Sequence, residues 1–191
     1  MKRMVDETFM KNCSLQGKVA LITGGATGLG FGMARCMLAA GASVLLVGRR
    51  KEKLVEACEK LGPGAQYYQF DITDWDAHEQ FARTVIEDFG HLDILVNNAG
   101  NQFKATVGEV RLEDMSNTFD VHVKAGFSMT RSFLPSMIAR GGGSVIFISS
   151  MAGFIGLTNQ ISYGAAKSAV MGLVRTFSSE VSQHGIRFNA I

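Results

Sequence analysis

A chain of 191 residues with 47% apolar and 19% charged residues can bury a sizeable core, which excludes a disordered reading. Its net charge of +2 is scattered, with no basic run or aromatic-basic interleaving that would recruit nucleic acid. Gly contributes 22 residues and Pro only 2, with no short period, so collagen-like and low-complexity classes fall away.

Residues 1–14 read as a polar tail that lacks the apolar stretch of a secretory signal. The longest uncharged apolar stretch, Cys36 to Gly48, is shorter than the roughly 20 residues of a bilayer span. Cys13, Cys36 and Cys58 make no CxxC pair. Cys36 and Cys58 fall in apolar helical patterns and are expected to be buried thiols. This usage predicts a soluble, cytoplasmic protein with no metal site and no nucleic-acid or membrane partner.

Lys18 to Thr23 (KVALIT) is a short apolar run rich in β-formers, followed by a Gly cluster and a small-residue helix over Gly30 to Ala40. Ser43 to Val47 predicts a second strand, and the charged pattern Lys51 to Leu61 a helix. Gln66 to Phe70 reads as a third strand, Ala77 to Phe89 as a helix, and Ile94 to Val96 as a fourth strand ending at Asn97-Asn98-Ala99-Gly100. A long amphipathic segment, Leu112 to Arg140, precedes a fifth strand at Ser144 to Ile148. A helix from Ser162 to Gln183 then leads into a sixth strand at Ile186 to Ile191.

Continuous apolar strands alternating with helices imply a parallel sheet covered on both faces. The expected fold is therefore α/β, a doubly wound, Rossmann-like sheet in a single domain over residues 15–191, with ligands beyond the carboxyl ends of its strands. Asn189-Ala190-Ile191 stops inside an apolar strand, where a terminal carboxylate is costly to desolvate. The stretch thus reads as C-terminally incomplete, with a final strand and a substrate loop expected beyond it.

The loop Thr23 to Gly30, TGGATGLG, joins the first strand to the first helix. Gly24, Gly28 and Gly30 remove Cβ atoms where a backbone must turn sharply and approach a phosphate, and the helix that follows aims its free N–H groups there. At the end of the second strand, an acidic residue would favour NAD by bonding the ribose 2′-hydroxyl. Gly48 stands there instead, followed by Arg49-Arg50-Lys51, three cations opposing a helix dipole. Arg49 is the candidate for the 2′-phosphate of NADP, with NAD as the alternative.

Tyr163 and Lys167 lie four apart in a helical stretch and share one face. A phenol with its ordinary pKa of about 10 is a poor base at neutral pH, and a neighbouring ammonium favours its phenolate. Ser150 ends the fifth strand, where a hydroxyl can bond a carbonyl oxygen as negative charge develops.

TGGATGLG, NNAG at 97–100, Ser150, Tyr163-x-x-x-Lys167 and IRFNA at 186–190 occur in an order that resembles the short-chain dehydrogenase/reductase family from Leu15 to Ile191. The resemblance implies an NADP-linked oxidoreductase that interconverts a secondary alcohol and a ketone. It makes Tyr163 the proton-exchanging group and Ser150 the group that orients the carbonyl. Lys167 assists Tyr163 and bonds the nicotinamide ribose. It also implies a cofactor bed built from Thr23, Gly24, Thr27, Gly28, Leu29 and Gly30 on the first loop. Asp71, beside Ile72, matches the adenine-contacting Asp, and Asn97, Ala99 and Gly100 shape the cleft.

The family's relay Asn is replaced here by His122 in FDVHVKAGF, and a neutral imidazole can donate, accept and hold a water. VHVKAGF and FISSMAGFIG are similar to gluconate 5-dehydrogenase-like members, which points to a small polyol or sugar acid as substrate. A 3-oxoacyl-carrier-protein reductase and a catalytically silent NADP-binding protein are the competing readings. The helices over Leu112 to Arg140 and Ser162 to Gln183 resemble those that build homodimers or homotetramers in this family.

Overall fold

The computed structural model describes residues 13–191, so the expected polar tail lies outside the described residues up to position 12. Among the described residues, six strands form one wholly parallel sheet: β1 (Val19–Thr23), β2 (Ser43–Gly48), β3 (Ala65–Gln69), β4 (Ile94–Asn97), β5 (Gly143–Phe147) and β6 (Ile186–Ala190). Their spatial order is β3-β2-β1-β4-β5-β6. The chain reverses its direction of travel between β1 and β4, and this switch point opens a crevice at the carboxyl edge.

The helices are α1 (Gly28–Ala39), α2 (Lys51–Leu61), α3 (His78–Phe89), α4 (Leu112–Phe119), α5 (Ala125–Arg140) and α6 (Ile161–Val181). Strand residues alternate between two buried faces, which is why the apolar runs are continuous. Leu21, Leu45, Leu95 and Val145 pack with Phe81 of α3, Phe133 of α5 and Val170 of α6. Ala20, Ile22, Leu46 and Val96 face the other way, toward Ala34 of α1 and Leu54 of α2. Leu21, Leu45 and Leu95 have no exposed surface, so truncating any of them to Ala costs about 2–5 kcal/mol.

One expectation is corrected. Cys36 is exposed and Cys58 only half-buried, because α1 meets the sheet through Gly30 and Ala34 and leaves Cys36 on its outer face. Within the amphipathic segment Leu112 to Arg140, a π-helical turn at Asp120–Lys124 separates α4 from α5. Far from the crevice, Asp93 clamps the sheet, accepting from the Val19 N–H at 2.9 Å and pairing with Lys18 at 3.1 Å. Burial alone would raise its carboxyl pKa, but these contacts outweigh burial and hold it below the ordinary value. Among the described residues, no helix is long and apolar enough to cross a membrane.

Candidate functional site

The loop after β1 is held to the end of β4 by reciprocal hydrogen bonds. Thr23 Oγ1 accepts from the N–H groups of Asn98 and Ala99 at 3.0 Å each and donates to the Val96 carbonyl at 3.3 Å. Asn98 Nδ2 donates to the Thr23 carbonyl at 2.8 Å and the Gly24 carbonyl at 3.2 Å. Gly24 turns the chain with φ of +65°. A Cβ on Gly30 would collide with the Gly24 carbonyl and lie 2.7 Å from Asn98 Nδ2. Helix α1 therefore begins almost against the loop. Its first turn has neither an acidic residue nor a side-chain cap, so its N–H groups and positive dipole end remain free.

This seam forms one wall of a cleft of about 470 Å³. Gly24, Thr27, Leu29, Asp71, Ile72, Ala99 and Gly100 line it, and Leu29 is 72% exposed. Arg49 also lines it and lies 3.9 Å from Asp71 Oδ2. Asp71 Oδ1 accepts from the Thr73 N–H at 2.9 Å and its hydroxyl at 2.8 Å. Burial opposes ionisation of Asp71, but the Thr73 bonds and the Arg49 charge outweigh it and lower the pKa. Beside Arg49, the cationic candidate named from the sequence, Arg50 and Lys53 also line the cleft, and Lys51 does not. Positions 50 and 53 share a face at the start of α2, a spacing that could have identified Lys53.

Asn97 does not enter the large cleft. Its Nδ2 donates to Thr130 Oγ1 of α5 at 3.0 Å, and it lines a small inner recess with Thr23, His122 and Lys167. Its neighbour Asn98, absent from the expected set, is the residue that stitches the cleft wall. Recess and cleft share Ile72, Ala99 and Val121.

Lys167 is 4% exposed, and its ammonium donates to the Ile148 carbonyl at 2.6 Å. The same nitrogen lies 5.4 Å from the centre of the Tyr163 ring. Burial pushes its pKa down to about 8, so it carries its charge at neutral pH. His122 also packs against Tyr163, edge-to-face at 5.4 Å and 83°.

His122 sits in the π-helical turn and is 7% exposed. A Cβ on Gly100 would lie 2.5 Å from its Cε1, so the glycine admits the imidazole. Nε2 reaches both the Asn101 carbonyl, at 2.7 Å, and the Asn101 N–H, at 3.3 Å. Either neutral tautomer thus keeps a backbone partner. Burial first, and then the Lys167 charge, push its pKa down to about 4 against the favourable Asn101 carbonyl.

Ser150 caps a short 3-10 turn at Met151–Gly153, its Oγ accepting from the Ala152 N–H at 3.2 Å while its own proton stays available. That turn is seated on α6: the Ala152 carbonyl approaches Gly164, and Gly153 approaches the Lys167 backbone. The end of β5 is thereby brought to the Tyr163–Lys167 turn. The adjacent Ser149 is buried, which leaves Ser150 as the accessible hydroxyl of the pair.

A family model described as short chain dehydrogenase matches residues 18–191. The chain belongs to the short-chain dehydrogenase family. Over 180 residues it is 34% identical to a 3-oxoacyl-[acyl-carrier-protein] reductase of Thermotoga maritima, covering 93% of this chain and 73% of the relative. Its fold is similar to NAD+-bound xylitol dehydrogenase, with TM-score 0.88 and 30% identity, covering 92% of this chain and 69% of that one. It is also similar to a metagenomic short-chain oxidoreductase in complex with NADP, with TM-score 0.87 and 33% identity, covering 92% of this chain and 81% of that one. The short-chain dehydrogenase fold therefore accounts for the sheet order and for the crevice at its switch point.

Proposed function

We propose that this chain is the cofactor-binding and catalytic part of an NADP-linked oxidoreductase that interconverts a secondary alcohol and a ketone. The observation that carries this reading is the buried Lys167 ammonium beside the Tyr163 ring, at the carboxyl edge of β5 and next to a glycine-walled cleft. A nicotinamide nucleotide suits that cleft. The Gly24–Gly30 approach leaves backbone where a phosphate needs it, the start of α1 is free of competing carboxylates, and three cations line the far rim. Gly24, Thr27 and Leu29 would hold its phosphates, Asp71 and Ile72 would flank its adenine, and Ala99 and Gly100 would shape the floor, while Asn97 lines the adjoining inner recess.

When bound, the nicotinamide supplies or accepts the hydride. Tyr163 moves the proton at the substrate oxygen. Lys167 stabilises negative charge at that phenol and would help hold the nucleotide through its ribose. Ser150 donates to the carbonyl oxygen and fixes its orientation. His122 stays neutral at pH 7 and can relay a proton beside Tyr163 without losing its hold on Asn101. Replacing His122 by Ala should lower turnover about 10²-fold. An Ala variant with unchanged turnover and unchanged pH profile would reduce His122 to a packing residue.

A small polyol or sugar acid is the preferred substrate class, supported by the VHVKAGF and FISSMAGFIG segments and by the likeness to xylitol dehydrogenase. Reduction of a 3-oxoacyl chain is the second reading. The Thermotoga maritima relative supports it, as do Met151, Phe154 and Ile155, which stand exposed beside Ser150. A panel of alcohols and ketones with NADP(H) and NAD(H) tests the proposal, and nucleotide binding without turnover would favour a silent binding protein. In the same assay Arg49→Ala should weaken NADP about 10-fold or more and leave NAD nearly unaffected, the loss of one charge-assisted contact to a phosphate. Equal effects on both nucleotides would overturn the role of Arg49. Assembly as a homodimer or homotetramer is supported by Phe127, 40% exposed on α5 and stacked on Phe177 of α6.

A further inference from the structure

The turn from Phe70 to Thr73 forms part of the cleft wall, and a residue outside the proposed machinery holds it. His78, the first residue of α3, is 1% exposed. Its Nε2 lies 2.9 Å from the carbonyl oxygen of Ile72. A carbonyl only accepts, so this nitrogen carries the proton and the tautomer is set by the bond. No other protein donor reaches that carbonyl among the described residues. The ring is itself confined, 5.4 Å from Phe70 and 6.2 Å from Trp75. Phe70 in turn stacks on Phe81 of α3 at 4.3 Å and donates its N–H to Gly48 at the end of β2.

Burial lowers the pKa of His78 and keeps it neutral, outweighing the Ile72 and Ser128 carbonyls and the Asp74 charge that favour protonation; the Arg131 charge acts with burial. The neutral ring carries one proton, and of its two nitrogens only Nε2 has a hydrogen-bond partner among the described residues, the Ile72 carbonyl. Ile72 lies in both the large cleft and the inner recess, between Asp71 and Thr73. Its position sets where the Asp71 carboxylate stands relative to Arg49.

We infer that His78 is a positioning residue for nucleotide binding: it latches the Ile72 backbone so that Asp71 and Ile72 present a preformed wall to the nucleotide. This rests on the proposed nucleotide-binding role of the cleft. Without the latch, the turn must be ordered at the moment of binding, which weakens affinity and leaves the chemistry at Tyr163 untouched.

The test uses calorimetric titration of NADP+ and NAD+ into wild type, His78→Leu and His78→Gln, with turnover at saturating nucleotide and a thermal unfolding scan for each. Gln can present a donor where Nε2 stood; Leu cannot. His78→Leu should bind both nucleotides about three- to tenfold more weakly, the scale of one hydrogen bond, with kcat unchanged. His78→Gln should restore wild-type affinity. Wild-type affinity in the Leu variant, or equal losses in both variants, would overturn the latch. If the Leu variant does not fold, nitrogen NMR of the wild-type imidazole decides the matter: a neutral Nε2–H tautomer at pH 7 supports it, and an Nδ1–H tautomer or an imidazolium overturns it. Failure of wild type to bind any nucleotide would remove the reading of the cleft itself. Wild-type binding with an indifferent Leu variant would remove only the inference about His78.

Discussion

Tyr163→Phe is expected to lower kcat about 10²- to 10⁴-fold, the range lost when a positioned proton donor is removed, with nucleotide affinity and thermal stability close to wild type. The ring keeps its edge-to-face packing on His122 and its place beside Lys167, so only the hydroxyl is lost. Steady-state kinetics on the best alcohol of the panel checks this, and activity within a few-fold of wild type would remove Tyr163 from the chemistry. The Lys167 partnership adds a pH signature. Its ammonium is present below a pKa lowered to about 8, so the contribution of that charge to kcat/KM fades as pH rises through about 8.

Stability moves the other way. Burying the ammonium costs the folded state most below pH 8, and the cost is relieved between about 8 and the ordinary Lys value of 10.5, because the unfolded chain then holds the extra proton. Activity falling while stability rises separates this titration from unfolding. A plot of kcat/KM that is flat from pH 7 to 10 would contradict it.

The second large effect is at Gly30. A methyl there meets the Gly24 carbonyl, Asn98 Nδ2 at 2.7 Å and the Gly25 Cα at 2.9 Å. Two of these are backbone and cannot swing aside, so Gly30→Ala must displace the loop from β4. Nucleotide affinity should drop by about 10²-fold or more, with a stability loss of roughly 1–3 kcal/mol from overpacking. Gly32→Ala is the control within the same helix. A methyl there meets nothing within 4 Å, and the better helix former should stabilise by about 0.4–1 kcal/mol with binding intact. Titration calorimetry and thermal unfolding on both variants test the contrast, and similar behaviour of the two would show that the tight seam does not shape the cleft.

The sheet was legible in the sequence because its strands are buried on both faces and read as unbroken apolar runs. The β3 register shows the limit: an edge strand, AQYYQ, carries little apolar signal, and it begins at Ala65 rather than Gln66. Spacing alone gave Tyr163 and Lys167 a shared helix face, and the strand before and helix after it marked the glycine loop, but the roles of both came from the family resemblance carried by the order of the motifs along the chain. The two adjacent asparagines were not legible. Successive strand residues point to opposite sides, and nothing local says which side Asn97 takes until Thr130 of α5 is placed. Cys36 misled because a helix contacting its sheet through small residues buries a narrow stripe. His78 gave no signal at all: its role depends on a carbonyl six residues earlier whose direction is set by a loop.

The π-helical turn at Asp120–Lys124 has a consequence for the phasing of the long helical rod. Such a turn accommodates one residue more than an α-helical turn, so the faces of α4 and α5 are offset by about 100° relative to an uninterrupted helix. Excising a single residue between positions 120 and 124 would let the rod wind regularly, and everything on one side of the cut would rotate by that angle. His122 would swing away from the hollow at Gly100, or the α5 stripe of Met129, Phe133 and Met137 would turn out of the core. The irregular turn thus acts as a gear tooth that lets one continuous rod serve the recess with one flank and the core with another.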